Sequence, residues 1–288
     1  MFSRIVAGFD GSAGGHDAVA MAAELADRFD AELVVASVAP EPYAKSVLPA
    51  LPSDALVWMT DEARASAEKV ASEVGGKVEI RASLSPARGL HQIVMETGAD
   101  LLVIGSTGAG PGRVKGGHIA RALMSGGPCT VAIAPLGWRD GSRSLDRVGV
   151  AIAGSPESEE ALRLGIGLSE GGTLRAIAVA TPLDSALGKL VMLGSKELGE
   201  ISKEVAKGHL DEAVSLMPDE SIVAERRIPE GGAAEALRRE TEEGLDLLLL
   251  GSRSYGPVRR VLLGSVTSDL VGDAGCALMV SPRAGLED

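Results

Sequence analysis

Asp246-Leu-Leu-Leu-Leu-Gly-Ser252 is the stretch that decides the fold, because the chain contains it twice. Its counterpart, Asp100-Leu-Leu-Val-Ile-Gly-Ser106, lies 146 residues earlier. A short aliphatic run bounded by turn residues reads as a strand buried on both faces, the kind found in parallel sheets. Two more segments repeat in the same order. Arg4-Ile-Val-Ala-Gly-Phe-Asp-Gly-Ser12 matches Arg147-Val-Gly-Val-Ala-Ile-Ala-Gly-Ser155, and Cys129-Thr-Val-Ala-Ile-Ala-Pro135 matches Cys276-Ala-Leu-Met-Val-Ser-Pro282. The offsets are 143, 146 and 147 residues, in order and nearly constant, which is the mark of a tandem duplication. The repeats set domains at 1–136 and 145–288. The linker at 136–146 has Gly137, Asp140, Gly141 and Ser142 as its loop-forming residues.

Strands and helices alternate within each repeat. In the first, strands are expected at 4–9, 31–38, 77–82, 100–105 and 129–134. The helix after strand one carries Ala18, Met21, Ala22 and Leu25 at helical spacing. Further helices are expected at 54–74, 86–97 and 117–125, the first of them after a loop bearing Pro40, Pro42, Pro49 and Pro52. In the second repeat, strands are expected at 147–153, 173–180, 221–228, 245–250 and 276–281. Ser155-Pro156 opens a helix as N-cap and first-turn proline. Other helices fall at 195–216, 232–242 and 264–273. The pattern implies two tandem α/β domains, each a five-stranded parallel sheet with helices on both faces.

Composition narrows the function. The chain has 288 residues, 45% hydrophobic and 24% charged, as in a globular protein of two ordinary domains. A formal net charge of −12 argues against a general nucleic-acid binder, which needs a basic face. No apolar run approaches the roughly 20 residues of a membrane span. The N-terminus leads directly into a strand without a signal-peptide pattern, so a cytoplasmic location is expected. Cys129 and Cys276 each open a strand in a different repeat and read as buried thiols.

The chemistry lies in the loop after strand four. Gly251-Ser-Arg-Ser-Tyr-Gly-Pro-Val-Arg-Arg-Val-Leu-Leu-Gly-Ser-Val-Thr267 joins a buried strand to a helix start. Glycine lets backbone approach an anion, and a helix start offers free N–H groups and a positive dipole end. Arg253, Arg259 and Arg260 add positive charge. A loop with surface arginines is the plainer alternative.

With these residues in view, each repeat resembles a universal stress protein domain, and the chain resembles a tandem member of that family. The resemblance covers nearly the whole chain. It rests on the Asp-Gly-Ser turn after strand one, the Asp-x-x-x-x-Gly-Ser fourth strand, the loop Gly-x-x-Gly-(nine residues)-Gly-Ser, and Pro128-Cys129 before strand five. It implies the strand order 3-2-1-4-5, with association through strand five: an intramolecular pseudo-dimer of the two repeats, to which a homodimer of chains can be added. It also implies ATP, or a related adenine nucleotide, in the crevice between strands one and four, although members with altered loops bind none.

Carried over by position, the strand-one carboxylate is Asp10, and the strand-two backbone contacts to adenine are Val38 and Val179. The phosphate loop is Gly105, Thr107, Gly108, Gly117 and His118 in the first repeat. In the second it is Gly251, Arg253, Gly264, Ser265, Val266 and Thr267. Neither half is intact. The first has Gly117-His118 where Gly-Ser is expected, one residue early; the second has Ala153 in place of the aspartate and Ser254 in place of the middle glycine.

No Walker-type loop, dinucleotide fingerprint or metal-ligand spacing is present, and His16, His91, His118 and His209 are dispersed. The expected function is therefore a non-enzymatic stress-response protein with adenine-nucleotide-binding capacity. A nucleotide-free interaction scaffold of the same fold is the rival, and an ATP-hydrolysing enzyme, with Asp10 as the one placeable carboxylate, is third. The residues leave both crevices as candidates.

Overall fold

The first repeat folds as β1 (Arg4–Gly8), α1 (Ala13–Phe29), β2 (Glu32–Ala39), α2 (Ala55–Val74), β3 (Lys77–Ala82), α3 (Pro86–Thr97), β4 (Leu101–Gly105), α4 (His118–Met124) and β5 (Thr130–Ala134). The second folds as β6 (Arg147–Ile152), α5 (Pro156–Leu168), β7 (Thr173–Ala178), α6 (Ser195–Ser215), β8 (Val223–Arg227), α7 (Ala233–Glu242), β9 (Leu247–Gly251), α8 (Ser265–Gly272) and β10 (Ala277–Ser281). This computed structural model describes all residues except 41–54, 109, 126, 142–144, 183–194, 218–221, 253–262 and 283–288. Pro42, Pro49, Pro52, Arg253, Ser254, Arg259 and Arg260 therefore lie outside the described residues. Among the described residues, those up to Gly141 form one compact unit and those from Leu145 onward another.

In the first unit the strands are ordered β3-β2-β1-β4-β5, and in the second β8-β7-β6-β9-β10. Neighbours within each unit are parallel. This is the 3-2-1-4-5 order expected from the resemblance, with the reversal between strands one and four. The aliphatic runs explain which strands are central. Leu101, Leu102, Val103 and Ile104 of β4 are all buried, as are Leu247 to Leu250 of β9. β3, rich in charge, forms an edge and is largely accessible.

Helix boundaries follow local chemistry. Ser12 caps α1 by accepting from the Gly15 N–H, and Asp30 ends it in a left-handed conformation with φ 52°. Ser85 caps α3 ahead of Pro86, and Gly98 closes it. Ser155 and Ser158 form a reciprocal capping box at the start of α5, with Pro156 in the first turn.

Two features lie beyond sequence patterning. The segment after β5 is not free coil: Trp138–Asp140 forms a 3₁₀ turn. It is held by Asp17 of α1, whose buried carboxylate accepts from the N–H groups of Gly137 (2.8 Å) and Arg139 (3.0 Å). Trp138 is buried and its indole N–H donates to Glu24 at 3.1 Å. In the second unit, Glu240 of α7 is 3% exposed and pairs with Arg175 of β7 (3.2 Å) and Arg227 of β8 (3.4 Å), tying the helix to the sheet.

The aspartate that begins each quoted stretch ties strand four to strand one. Asp100 Oδ2 accepts from the Ser3 N–H (2.7 Å), the Ser3 hydroxyl (2.6 Å) and the Arg4 N–H (3.1 Å). Asp246 repeats the role, accepting from the Arg147 N–H (2.9 Å) and pairing with its guanidinium (3.2 Å). Partial burial pushes the Asp100 carboxyl up, but the hydrogen bonds from Ser3 and Arg4 outweigh it and hold it below the ordinary 3.8.

A carboxyl lowered on folding contributes stability above its unfolded value, and this is lost as pH falls through the folded one. Asp100→Asn should therefore lose about 1–3 kcal/mol at neutral pH, measured by chemical denaturation. The gap to the unaltered protein should close as pH falls below 3.8; a gap that persists in acid would contradict the clamp.

Candidate functional site

At the carboxyl end of each sheet, the strand order reverses between strands one and four, which opens a crevice there. In the first unit, contact between backbones sets its floor. A β-carbon on Gly105, the last residue of β4, would fall on the Gly14 carbonyl, and one on Gly14 would strike the Ser106 carbonyl. Only glycine permits this approach of α1 to the end of β4. Gly15 follows, and a β-carbon there would lie 2.7 Å from Asp10 Oδ1. The Asp10 carboxylate thus sits beside the first turn of α1, exposed, with Oδ1 accepting from the Ser12 N–H (3.0 Å) and hydroxyl (2.5 Å).

Val38 forms the opposite wall. β1 ends at Gly8, level with Ala36, while β2 runs on to Ala39. Ala36 accepts from Phe9 on the β1 side (2.8 Å), and Ala39 accepts from Ser83 on the β3 side (2.9 Å). Alternate strand residues face alternate neighbours, so the Val38 peptide faces the side that β1 has left. Its methyl groups pack under Gly89 of α3, where a β-carbon would lie 2.7 Å from both. The backbone of Val38 is thus turned to the crevice and its side chain to the core.

The loop after β4 folds back on itself. Thr107 donates to the Lys115 carbonyl from its N–H (2.8 Å) and its hydroxyl (2.9 Å), and the Lys115 N–H donates to Ser106 Oγ (2.7 Å). Gly108 has φ +69°. Gly117 is the N-cap of α4 and supplies no side-chain cap. A β-carbon there would lie 3.4 Å from the Thr107 hydroxyl oxygen, so these two predicted residues meet. His118 is exposed as the first residue of α4. Asp10, Val38, Gly105, Thr107, Gly108, Gly117 and His118 therefore all sit at the same end of the first sheet.

The second unit differs at each corresponding place. Ala153 stands exposed where Asp10 would be. The Val179 carbonyl is taken up by the Thr181 N–H at 3.0 Å, in a tight local turn. Gly251 is pressed on the backbone of Glu157 and Ser158, where a β-carbon would come within 2.6 and 2.8 Å. Among the described residues the buried Ser252 Oγ meets no partner, whereas its twin Ser106 Oγ is bonded to Lys115. Gly264 caps α8, with Ser265 exposed, Val266 half-buried and Thr267 buried in its first turns. Arg253 falls outside the described residues.

Sequence reasoning passed over Gly14 and Gly15. The signal was available: the first repeat reads Ser12-Ala-Gly-Gly15 where the second reads Ser155-Pro-Glu-Ser158. Two other chemistries find little support. Burial, and then the nearby Asp100 carboxylate, push the Cys129 thiol up to about 12, which leaves negligible thiolate at neutral pH. Among the described residues no group of three or more His, Cys, Asp or Glu side chains could hold a metal ion.

Both repeats match the model of the Universal stress protein family, over residues 1–135 and 144–282. A universal stress protein of Mycobacterium bovis and one of Mycobacterium tuberculosis are each 25% identical over 294 aligned positions, covering 96% of this chain and 99% of theirs. The solved structure of a universal stress protein from Archaeoglobus fulgidus superposes with a TM-score of 0.68 at 18% identity, covering 98% of each chain. A putative universal stress protein structure from Pseudomonas aeruginosa gives 0.62 at 13% identity, covering 98% of this chain and 94% of that one.

The glycine contact makes a direct prediction. Gly14→Ala should cost about 1–3 kcal/mol, because backbone must move to admit the methyl group. Gly110→Ala, where among the described residues a β-carbon meets nothing within 4 Å, should stay within about 0.5 kcal/mol of the unaltered protein. Equal thermal unfolding of the two variants would contradict the close approach.

Proposed function

The chain belongs to the universal stress protein family, and we propose that it is a regulatory, non-enzymatic member whose first unit binds ATP or a related adenine nucleotide. The observation that carries this reading is the Val38 peptide facing the side of β2 that β1 has left, where the chain turns away into Asp10. That arrangement pairs a backbone donor and acceptor for the edge of a base with a carboxylate able to accept from a sugar hydroxyl. Thr107, Gly108, Gly117 and His118 follow at the phosphate end, where the start of α4 supplies N–H groups and the imidazole a further donor.

Binding without turnover fits the chemistry present. Hydrolysis needs a positioned base or a metal ligand near the phosphates. Asp10 is the carboxylate described at this crevice, and one of its oxygens is occupied by Ser12. The regulatory step follows from the loop. Thr107 and Ser106 close it through Lys115, and phosphate contacts would compete for those same groups, so occupancy would change the loop. Among the described residues no helix is long and apolar enough to cross a membrane. A cytoplasmic location and association of two chains belong to the same proposal.

Titration calorimetry with ATP tests it. Binding should be measurable, and Asp10→Ala should weaken it by about tenfold to a hundredfold, the worth of a hydrogen bond to a charged group. The denatured protein should also release nucleotide detectable by mass spectrometry. Absence of nucleotide, with no heat of binding at millimolar ATP, would leave the scaffold reading in its place. Turnover abolished by Asp10→Ala would make the protein an enzyme.

A further inference from the structure

The turn after strand one has the same shape in both units but different surroundings. Gly11 and Gly154 are twins in the repeat, with φ of +77° and +63°. Among the described residues, a β-carbon on Gly11 meets nothing within 4 Å. One on Gly154 would lie 2.5 Å from His209 Cδ2, 2.7 Å from Nε2 and 2.8 Å from Cγ. The half-buried imidazole therefore rests directly on the glycine, with no layer of space between them.

The helix carrying it is held in place. The Ser202 hydroxyl of α6 donates to the Thr181 carbonyl at 2.5 Å, just beyond Val179. α6 lies chiefly against β7 and β6, whereas its counterpart α2 lies against β2 and β3. The second unit has thus brought this helix over the strand that ends at the crevice. Its helix start also differs. The first turn of α5 contains Glu157 and Glu159, while that of α1 contains no acidic residue. A helix N-terminus favours negative charge, and here the chain supplies its own. Glu157 is 8% exposed, and its backbone is in contact with Gly251 at the end of β9.

We infer that His209 closes the nucleoside end of the second crevice, so that the chain takes up nucleotide at one site only, in the first unit. This rests on the function proposed above and adds the reason for its asymmetry. Two obstacles stand in the second unit. The carboxylate acceptor is absent at Ala153, and the space above the turn is filled by the imidazole. Replacing the acceptor alone leaves a sugar ring no room; removing the imidazole alone leaves no acceptor.

The two obstacles separate by mutation in an Asp10→Ala background, which weakens the first crevice, so that a new site is read as binding above the residual of that background. ATP binding is measured by calorimetry for Ala153→Asp, His209→Ala and the two together, with circular dichroism and thermal unfolding confirming that each folds. His209→Ser replaces His209→Ala if the latter does not fold. The expected result is that only the double variant gains a site, at least about tenfold tighter than Ala153→Asp alone, a difference of about 1.4 kcal/mol. Ala153→Asp binding as tightly as the double variant, or a folded double variant that binds no more tightly than Asp10→Ala alone, would overturn the inference. Failure of the first-unit reading is distinguishable, because it appears as absent binding in the chain with Asp10 intact. In that intact chain, saturating ATP should shift the NMR signals of the His118 imidazole and leave those of His209 in place. Movement of the His209 signals would equally overturn the inference.

Discussion

The first turn of the helix after strand one meets the end of strand four with no side chain between them. In the first unit Gly14 and Gly105 make this contact, and in the second Gly251 makes it against the backbone of Glu157. Much else is fixed by it. The contact sets how far the first helix of each unit can lie over the sheet, and in the first unit it brings the start of the post-strand-four loop to the helix start. Asp100 and Asp246 hold the other end of the same strand pair, at the first residues of β1 and β6. Strands one and four are thus tied at both ends, and the crevice is the opening left where their chains diverge.

The fold was legible because its signals are local. Four aliphatic residues between an aspartate and a glycine declare a buried strand wherever they occur, and two copies in register declare a duplication. Ser155-Pro156 marked a helix start for chemical reasons that need no tertiary context. The candidate site was legible in part. Asp10 and the glycines of the loop could be named by their place in the repeat. The role proposed for the Val38 peptide could not be derived from the residue itself, since it depends on β2 outrunning β1 by strand register. Asp17 reads as a helix residue until it is seen to hold the Gly137 amide 120 positions away. His209 was set aside because the histidines lack metal-ligand spacing, a test blind to a ring that acts by filling space.

Duplication relaxes the demand on each copy, and the two units show where the slack was used. The first has the carboxylate, bare glycines at its helix start and, among the described residues, open space over Gly11. The second has lost the carboxylate, placed glutamates at its helix start and laid an imidazole over the equivalent turn. Its core is built like that of its twin, with Leu247 to Leu250 of β9 and all of β10 buried. The packing that makes the fold has been kept in both units. The polar groups that make the crevice have diverged.

A crystal structure of the chain grown with a non-hydrolysable ATP analogue tests this account most directly. The account predicts one nucleotide per chain, its base against the Val38 peptide and its sugar at Asp10, with the His209 ring still lying on Gly154. A nucleotide seated over Ala153, or an empty first crevice at saturating analogue, would contradict it.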